Sequence, residues 1–271
     1  MAGLLITGAS GYLGGELMRR APRAAGTYLT AELPGAVHLD VRDAGAVAGV
    51  FAELRPEVVI HTAYSERGAE AEAINVAGSR NVARAAADGG ARLVHVSTDL
   101  VFDGRLGRAY TEDDEPNPIL DYGRQKLAAE EAVSAELPQT LVVRTSLIYG
   151  GGEPSRHELA VLDAADGRSA MRFFSDELRS PVQVGDLAAA LLELASTDAA
   201  GLLHVAGADD VSRLEFARLV AASAGREPDR LEGALAAEFT PPRPLDCRLD
   251  SSRARARVSV RLRGVREVLC A

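Results

Sequence analysis

Apolar residues arrive in short, nearly unbroken runs through the first two-thirds of the chain: "GLLIT" (3–7), "GTYL" (26–29), "AVHL" (36–39), "EVVIH" (57–61), "ARLVHVS" (91–97) and "TLVVRTS" (140–146). Runs this short and this apolar predict strands covered on both faces. Between most of them lie Ala-rich segments with helical spacing, such as "AEAINVAGSRNVARAAA" (71–87) and "YGRQKLAAEEAVSAE" (122–136). Buried strands joined by helical crossovers predict an α/β fold: a doubly wound parallel sheet of the Rossmann type.

After residue 150 the rhythm changes. "GGGEPSRHE" (150–158) is a Gly-rich break, followed by a helix-like run and then "MRFFSDELRSPVQV" (171–184). Residues 186–197 read as helix, "GLLHVAG" (201–207) as strand, and "SRLEFARLVAASAG" (212–225) as a helix capped by Ser212. The expected division is a dinucleotide-binding core over 1–150, rejoined by 181–207, and a smaller, partly interleaved C-terminal substrate lobe from 151–180 and 208–271. The run "RARARVSVRLRGVR" (253–266) alternates arginine with apolar residues, which predicts a strand or sheet edge with one solvated face. "TEDDEPNP" (111–118) is expected to be a solvated connector, its prolines blocking helix extension.

Composition narrows the function classes. The 271 residues carry a formal charge of −9, against a nucleic-acid or anionic-membrane surface, both of which need clustered cations. Cys247 and Cys270 lack CxxC spacing, and the five histidines (His38, His61, His95, His157, His204) form no metal-ligand pattern, so no metal is expected. No cationic n-region with an apolar core opens the chain, and no run approaches the length of a membrane span, so the expected location is cytoplasmic. One feature of the charge count is unusual: of the 30 basic residues only Lys126 is a lysine.

"LLITGASGYLGGEL" (4–17) sets Gly8, Gly11 and Gly14 between the first strand and a helix. A tight strand-to-helix turn, close approach to a pyrophosphate, and packing of helix on strand each call for a residue without Cβ. The first amides of the following helix would then face the phosphates. Gly8, Ser10, Gly11, Tyr12, Leu13 and Gly14 are the candidate contacts of that loop. Further along, Asp40 ends the third strand beside Val41 and either accepts from an adenine amino group or caps the next helix. Thr62, Ala63 and Tyr64, at the end of the fourth strand, lie where the ribose-diphosphate would pass. Near the end of the second strand stands Thr30, with no carboxylate until Glu32 to meet a ribose 2′-hydroxyl. A 2′-phosphate would meet no repulsion there, so NADP(H) is expected ahead of NAD(H).

Tyr122 and Lys126 are four apart on a predicted helix and share a face. A fixed cation beside a phenol favours phenolate and lowers its pKa, making the phenol a proton donor to a developing alkoxide. A compact ammonium also reaches ribose hydroxyls, where a planar guanidinium fits less well. Ser97 and Thr98 end the fifth strand at the edge where ligands bind in this architecture, and are candidates to hold a carbonyl oxygen.

Together "TGASGYLG", "STDLVFDG" and "YGRQK" resemble the extended short-chain dehydrogenase/reductase superfamily, and within it the dTDP-4-dehydrorhamnose reductase group. The likeness continues through "RPEVVIHTAY", "INVAGSRNVARAA", "VVRTSLIYG", "GLLHVAG" and "RPLDCRLDSSRA". It implies Tyr122 as proton donor, Lys126 as its activator and ribose ligand, Thr98 on the substrate oxygen, and Asn75 as a structural or cofactor-side asparagine. It places Leu100, Val101 and Phe102 toward the substrate. A nucleotide-sugar would also want cations for its diphosphate, and Arg144, Arg156, Arg172 and Arg179 are available, the last facing the cleft by analogy, with surface or inter-lobe salt bridges as the alternative for each. Dehydratases of the superfamily follow the threonine with an acidic pair; here Asp99 is followed by Leu100, so simple reduction of a small-molecule carbonyl, plausibly a 4-keto nucleotide-sugar, fits better. Two positions depart from the reductase pattern: Leu100 replaces an aromatic and Leu147 a tryptophan. The alternatives are a nucleotide-sugar epimerase with tightly held NAD and a non-catalytic NADP-binding regulatory subunit. Relatives often pair through helices, and 71–87 and 122–136 are where a homodimer could form.

Overall fold

The four residues of β1 (Leu4–Thr7) are all buried, which is why that run shows no polar alternation. This structure, a computed structural model, describes residues 3–66, 68–240 and 242–270. After β1 come α1 (Tyr12–Arg20), β2 (Ala25–Tyr28), β3 (Val37–His38), α2 (Ala44–Leu54) and β4 (Val58–His61). A π-helical turn (Ala73–Gly78) runs into α3 (Ser79–Gly89), followed by β5 (Arg92–Thr98), α4 (Asp121–Glu136) and β6 (Leu141–Thr145). The remaining elements are β7 (Ile148–Tyr149), α5 (Arg156–Ala165), β8 (Phe173–Phe174), β9 (Leu178–Arg179), β10 (Val182–Gln183), α6 (Val184–Ala195), β11 (Gly201–His204), β12 (Val211–Ser212), α7 (Arg213–Ser223), β13 (Gly233–Ala234), α8 (Ser252–Arg255) and α9 (Val265–Leu269).

Seven strands form one sheet in the order β11-β6-β5-β4-β1-β2-β3. The pairs β1–β2, β2–β3, β1–β4 and β4–β5 are parallel. Strand order reverses between β1 and β4, and ligands of doubly wound sheets bind outside the strand ends at such a point. The expected Rossmann-type α/β class is therefore what the chain forms.

The chain divides into two compact units. The first holds Met1–Thr98, Asp121–Arg144 and Ala188–Leu203, and the second Asp99–Leu120, Thr145–Leu187 and His204–Ala271. Leu5, Val59, Val82 and Leu93 are among the fully buried side chains in the core of the first unit. In the second, Tyr149 lies edge-on to Phe216 at 5.6 Å between ring centroids, within a cluster of α5, α7 and α9 side chains. Ser212 caps α7 by accepting from Glu215 N, as its sequence position predicts.

Three local expectations fail. Helical periodicity over 71–87 does not give one α-helix, because its first part is the π turn. There Ser79 Oγ donates to Asn75 O at 2.6 Å, back to the carbonyl four residues earlier. Residues 253–266 do not form a strand but carry α8 and the start of α9. Of its buried apolar residues Ala254 belongs to α8, while Val258 and Leu262 lie on the irregular backbone between α8 and α9, so the alternation of residue types does not correspond to the two faces of a strand. The acidic loop is not simply solvated either: Glu112 Oε1 accepts from His204 N at 3.0 Å and Asp114 pairs with Arg108 at 2.8 Å.

Candidate active site

The glycine loop is built as its spacing implies. Gly8 has φ +72°, and a Cβ there would fall 2.8 Å from the backbone of Ala63. A Cβ on Gly14 would lie 2.1 Å from Gly8 O, so only glycine lets α1 pack this close to β1. Gly11 is looser, with Gly8 O at 3.2 Å from its ideal Cβ. Gly11 is also the N-cap of α1, and no side chain caps that end or puts acid in its first turn. The amides there suit an anionic phosphate, and the loop fits a dinucleotide. Leu13 is buried beneath it, Tyr12 is half-buried and Ser10 is exposed. Thr62 donates its hydroxyl to Thr7 O at 2.7 Å, tying the end of β4 to that of β1 beside the loop.

Of the other residues expected around the cofactor, Thr30 is exposed and Val41 buried. Asp40 does not cap α2; Asp43 does, accepting from Gly45 N and Ala46 N. The Asp40 carboxylate is instead held by Arg42, at 2.6 Å for the shortest pair, and that guanidinium keeps its carboxyl below the usual range. Arg42 also reaches Glu70 at 2.6 Å. Asn75 works as a clasp: its Oδ1 accepts from Ser65 N at 2.9 Å, and its Nδ2 donates to Ser65 O at 2.6 Å and Gln125 Oε1 at 2.9 Å. The loop after β4, the π turn and α4 are thereby joined. Tyr64 is exposed, its ring 6.0 Å from that of Tyr122.

Tyr122 and Lys126 occupy the first two turns of α4, four residues apart, the phenol half-buried and the ammonium only 3 % exposed. Lys126 Nζ donates to Val96 O at 2.7 Å and lies 3.5 Å from His95 Nε2. Burial pulls its pKa down to about 8, while the Glu130 charge one turn further opposes the fall. Thr98 is nearly buried at the last position of β5, two residues beyond the carbonyl that holds Lys126.

Ser97 sits on the opposite face of β5 from Thr98, as alternation along a strand requires. Its hydroxyl donates to Glu130 Oε1, so Ser97 serves this buried carboxylate rather than a carbonyl substrate. The same carboxylate takes Arg144 in a two-pronged pair, 2.6 Å at the closest, with side chains 4 % and 8 % exposed. Arg144 is therefore an interior cation of the first unit and not one offered to a diphosphate.

In the second unit Val101 and Phe102 are fully buried, and Phe102 stacks on Tyr110 at 4.0 Å between centroids. Both are core, which corrects their placement toward substrate; Leu100 alone of the three is partly exposed. Arg179 is buried too: its guanidinium meets Glu177 at 2.8 Å, Asp99 at 3.6 Å, and the carbonyls of Leu178, Pro244 and Leu245. Its donors are spent inside the unit, so it is not a free cation for a ligand.

Three residues of this site escaped sequence reasoning. Glu130 follows Lys126 by four, the same spacing that picked out Tyr122, so its place on that face was readable. His61 and His95 are register partners on adjacent strands. Only the sheet order reveals that pairing.

The whole chain, residues 1–271, matches the family described as RmlD substrate binding domain. It is 39 % identical over 253 residues to the dTDP-4-dehydrorhamnose reductase of Mycobacterium tuberculosis, covering 89 % of this chain and 82 % of that one. To the dTDP-4-dehydrorhamnose reductase of Mycolicibacterium smegmatis it is 35 % identical over 278 residues, covering 98 % and 83 %. The crystal structure of dTDP-4-dehydrorhamnose reductase from Bacillus anthracis in complex with NADP superposes with a TM-score of 0.83 at 28 % identity, covering 98 % of this chain and 95 % of that one. With the family matched from end to end and the glycine loop, Thr98, Tyr122 and Lys126 gathered in one unit, the chain belongs to the RmlD substrate binding domain family, within the dTDP-4-dehydrorhamnose reductase group of NAD(P)-dependent oxidoreductases.

Proposed function

We propose that this chain reduces the 4-keto group of a nucleotide-sugar, dTDP-4-dehydrorhamnose or a close analogue, with NADPH preferred as the reductant. One observation carries the reading. The chain's single lysine is buried on the tyrosine face of α4, its ammonium anchored on Val96 O two residues before Thr98. A buried cation needs a reason, since burial disfavours the charged form and leaves Lys126 with a pKa of about 8.

In this chemistry the nicotinamide, when bound, supplies a hydride to the carbonyl carbon. The Tyr122 hydroxyl gives its proton to the carbonyl oxygen, so that hydride and proton together turn C=O into CH–OH. Lys126 keeps positive charge beside the phenol and favours its ionised form. Thr98 donates a hydrogen bond to the oxygen that gains electron density. The Gly8–Gly14 loop and the open N-terminus of α1 receive the diphosphate. The preference for NADPH is supported by the exposed Thr30 near the end of β2, where no carboxylate would repel a 2′-phosphate, and by the NADP bound to the Bacillus anthracis relative.

The test is NADPH consumption by the purified protein with dTDP-4-dehydrorhamnose, other 4-keto nucleotide-sugars and small ketones. Consumption should occur with the dTDP-sugar and be coupled to formation of its alcohol. No consumption with any of them, together with capture of a stoichiometric protein partner, would overturn the reading in favour of a binding subunit.

A further inference from the structure

Two buried imidazoles lie behind Lys126. His61 and His95 are stacked, ring centroids 5.4 Å apart and planes inclined by 29°, and neither is more than 1 % exposed. Both nitrogens of His61 are engaged, Nδ1 with Thr7 Oγ1 at 2.6 Å and Nε2 with Ser79 Oγ at 3.1 Å. Ser79 spends its own proton on Asn75 O, so its oxygen accepts and the His61 proton sits on Nε2. His61 is thus neutral and fixed, with its pKa pushed down to about 3 by burial and then by the Lys126 charge.

His95 differs. Its Nε2 faces Lys126 Nζ at 3.5 Å, the long end of hydrogen-bonding range, and its Nδ1 is buried without a partner among the described residues. An ammonium has only donors, so the nitrogen facing it must be the acceptor. That forces the His95 proton onto Nδ1, the nitrogen with nothing to bond. The ring thus stays in a costly tautomer, which the ammonium facing Nε2 explains.

We propose that His95 is the positioning residue for Lys126: its neutral Nδ1–H ring, held in place by stacking on His61, presents Nε2 to the ammonium and preserves its charge. The inference rests on Lys126 being the activating cation of Tyr122. Val96 O and His95 Nε2 together take two of the three N–H groups and leave one for other partners. The titratable groups facing Lys126 are few: Tyr122 and Glu130 one turn either side on α4, His95 on β5 and His61 on β4. Glu130 is already committed to Arg144 and Ser97. Val96 O, the nearer acceptor, is backbone, so His95 is the side-chain acceptor whose removal changes the ammonium most directly.

The single lysine permits a direct test. In the full-length protein labelled with 13C,15N-lysine, one side-chain resonance reports the Lys126 titration. The midpoint should fall by about one pKa unit or more in His95→Leu, as expected when a charged group loses an acceptor. His95→Gln, which can return an oxygen to the Nε2 position, should restore most of the shift. Should the leucine variant fail to fold, His95→Asn, whose amide is too short to reach Nζ, takes its place. In the wild-type protein, histidine 15N shifts should show His95 protonated at Nδ1 at neutral pH. An unchanged lysine midpoint in a folded leucine or asparagine variant, or a wild-type His95 protonated at Nε2, would overturn the proposal. Turnover of Tyr122→Phe is measured separately: full activity there would remove the catalytic reading while leaving the His95–Lys126 link standing.

Discussion

Replacing Glu130 by Gln should damage stability more than any exposed ion pair of this chain could. Glu130 and Arg144 are 8 % and 4 % exposed, and the guanidinium meets the carboxylate through three contacts between 2.6 and 3.2 Å. Removing one partner of a buried pair strands the other, at a cost of about 3–5 kcal/mol. Gln keeps one acceptor for Arg144 or Ser97, so the low end applies, about 3 kcal/mol. For a chain of this size that lowers Tm by roughly 6–12 °C. The paired variant Glu130→Leu with Arg144→Met removes both charges and leaves apolar side chains of similar volume. It should recover most of the loss, since buried ion pairs replaced whole by apolar groups are often neutral or better. Circular dichroism melts of the wild type and the two variants read the stability, and NADPH-oxidation kinetics read the KM for the keto substrate. Wild-type stability in Glu130→Gln would refute the interior role. A raised KM in the stable double variant would return Arg144 to the substrate.

Gly14→Ala should cost more than Gly11→Ala, because its Cβ would stand 2.1 Å from Gly8 O where that of Gly11 stands 3.2 Å away. The expected outcome is a loss of about 1–3 kcal/mol with weakened cofactor binding for the first, read by melts and cofactor titration, and a folded protein for the second. Lys126→Met should abolish turnover yet leave Tm at pH 7 equal or higher, because the wild type holds a cation whose burial lowers its pKa from 10.5 to about 8. The unfolded chain binds the extra proton between those values, so this lysine's contribution to stability rises with pH across that window, and the Tm gap between the two proteins should narrow there. Acid acts in the same direction on His61. Its folded pKa of about 3 against 6.5 means that the unfolded state binds the extra proton between those values, and stability should fall as pH drops through that window. Urea titrations at several pH values check it; flat stability from pH 6.5 to 4 would contradict a neutral, buried His61.

The sheet was legible in sequence because its strands are covered on both faces, so that "LVVRT" and "VVIH" stand out without any alternation to decode. Gly8 and Gly14 were legible for a different reason: a backbone that approaches another backbone leaves a mark that only glycine makes. Tyr122 and Lys126 lie on one helix, where spacing alone puts them on a shared face. What stayed hidden were partners that come from separate elements. Arg144 and Arg179 look alike in sequence to cations awaiting a phosphate. Whether a guanidinium is free depends on Glu130 or Glu177 and Asp99, and on carbonyls that no local pattern announces. Phe102 misled in the same way, its ring going to Tyr110 in the core. The π turn was invisible because a π-helical turn differs from an α-helical one in its backbone hydrogen bonding, and not in the spacing of apolar residues.

The central claim, that the Tyr122 phenol delivers the proton under the influence of Lys126, is tested most directly by single-turnover NADPH oxidation in Tyr122→Phe. A lost general acid should slow the chemical step by roughly a hundredfold or more, with NADPH affinity and Tm unchanged. A phenylalanine variant that turns over at the wild-type rate would contradict it.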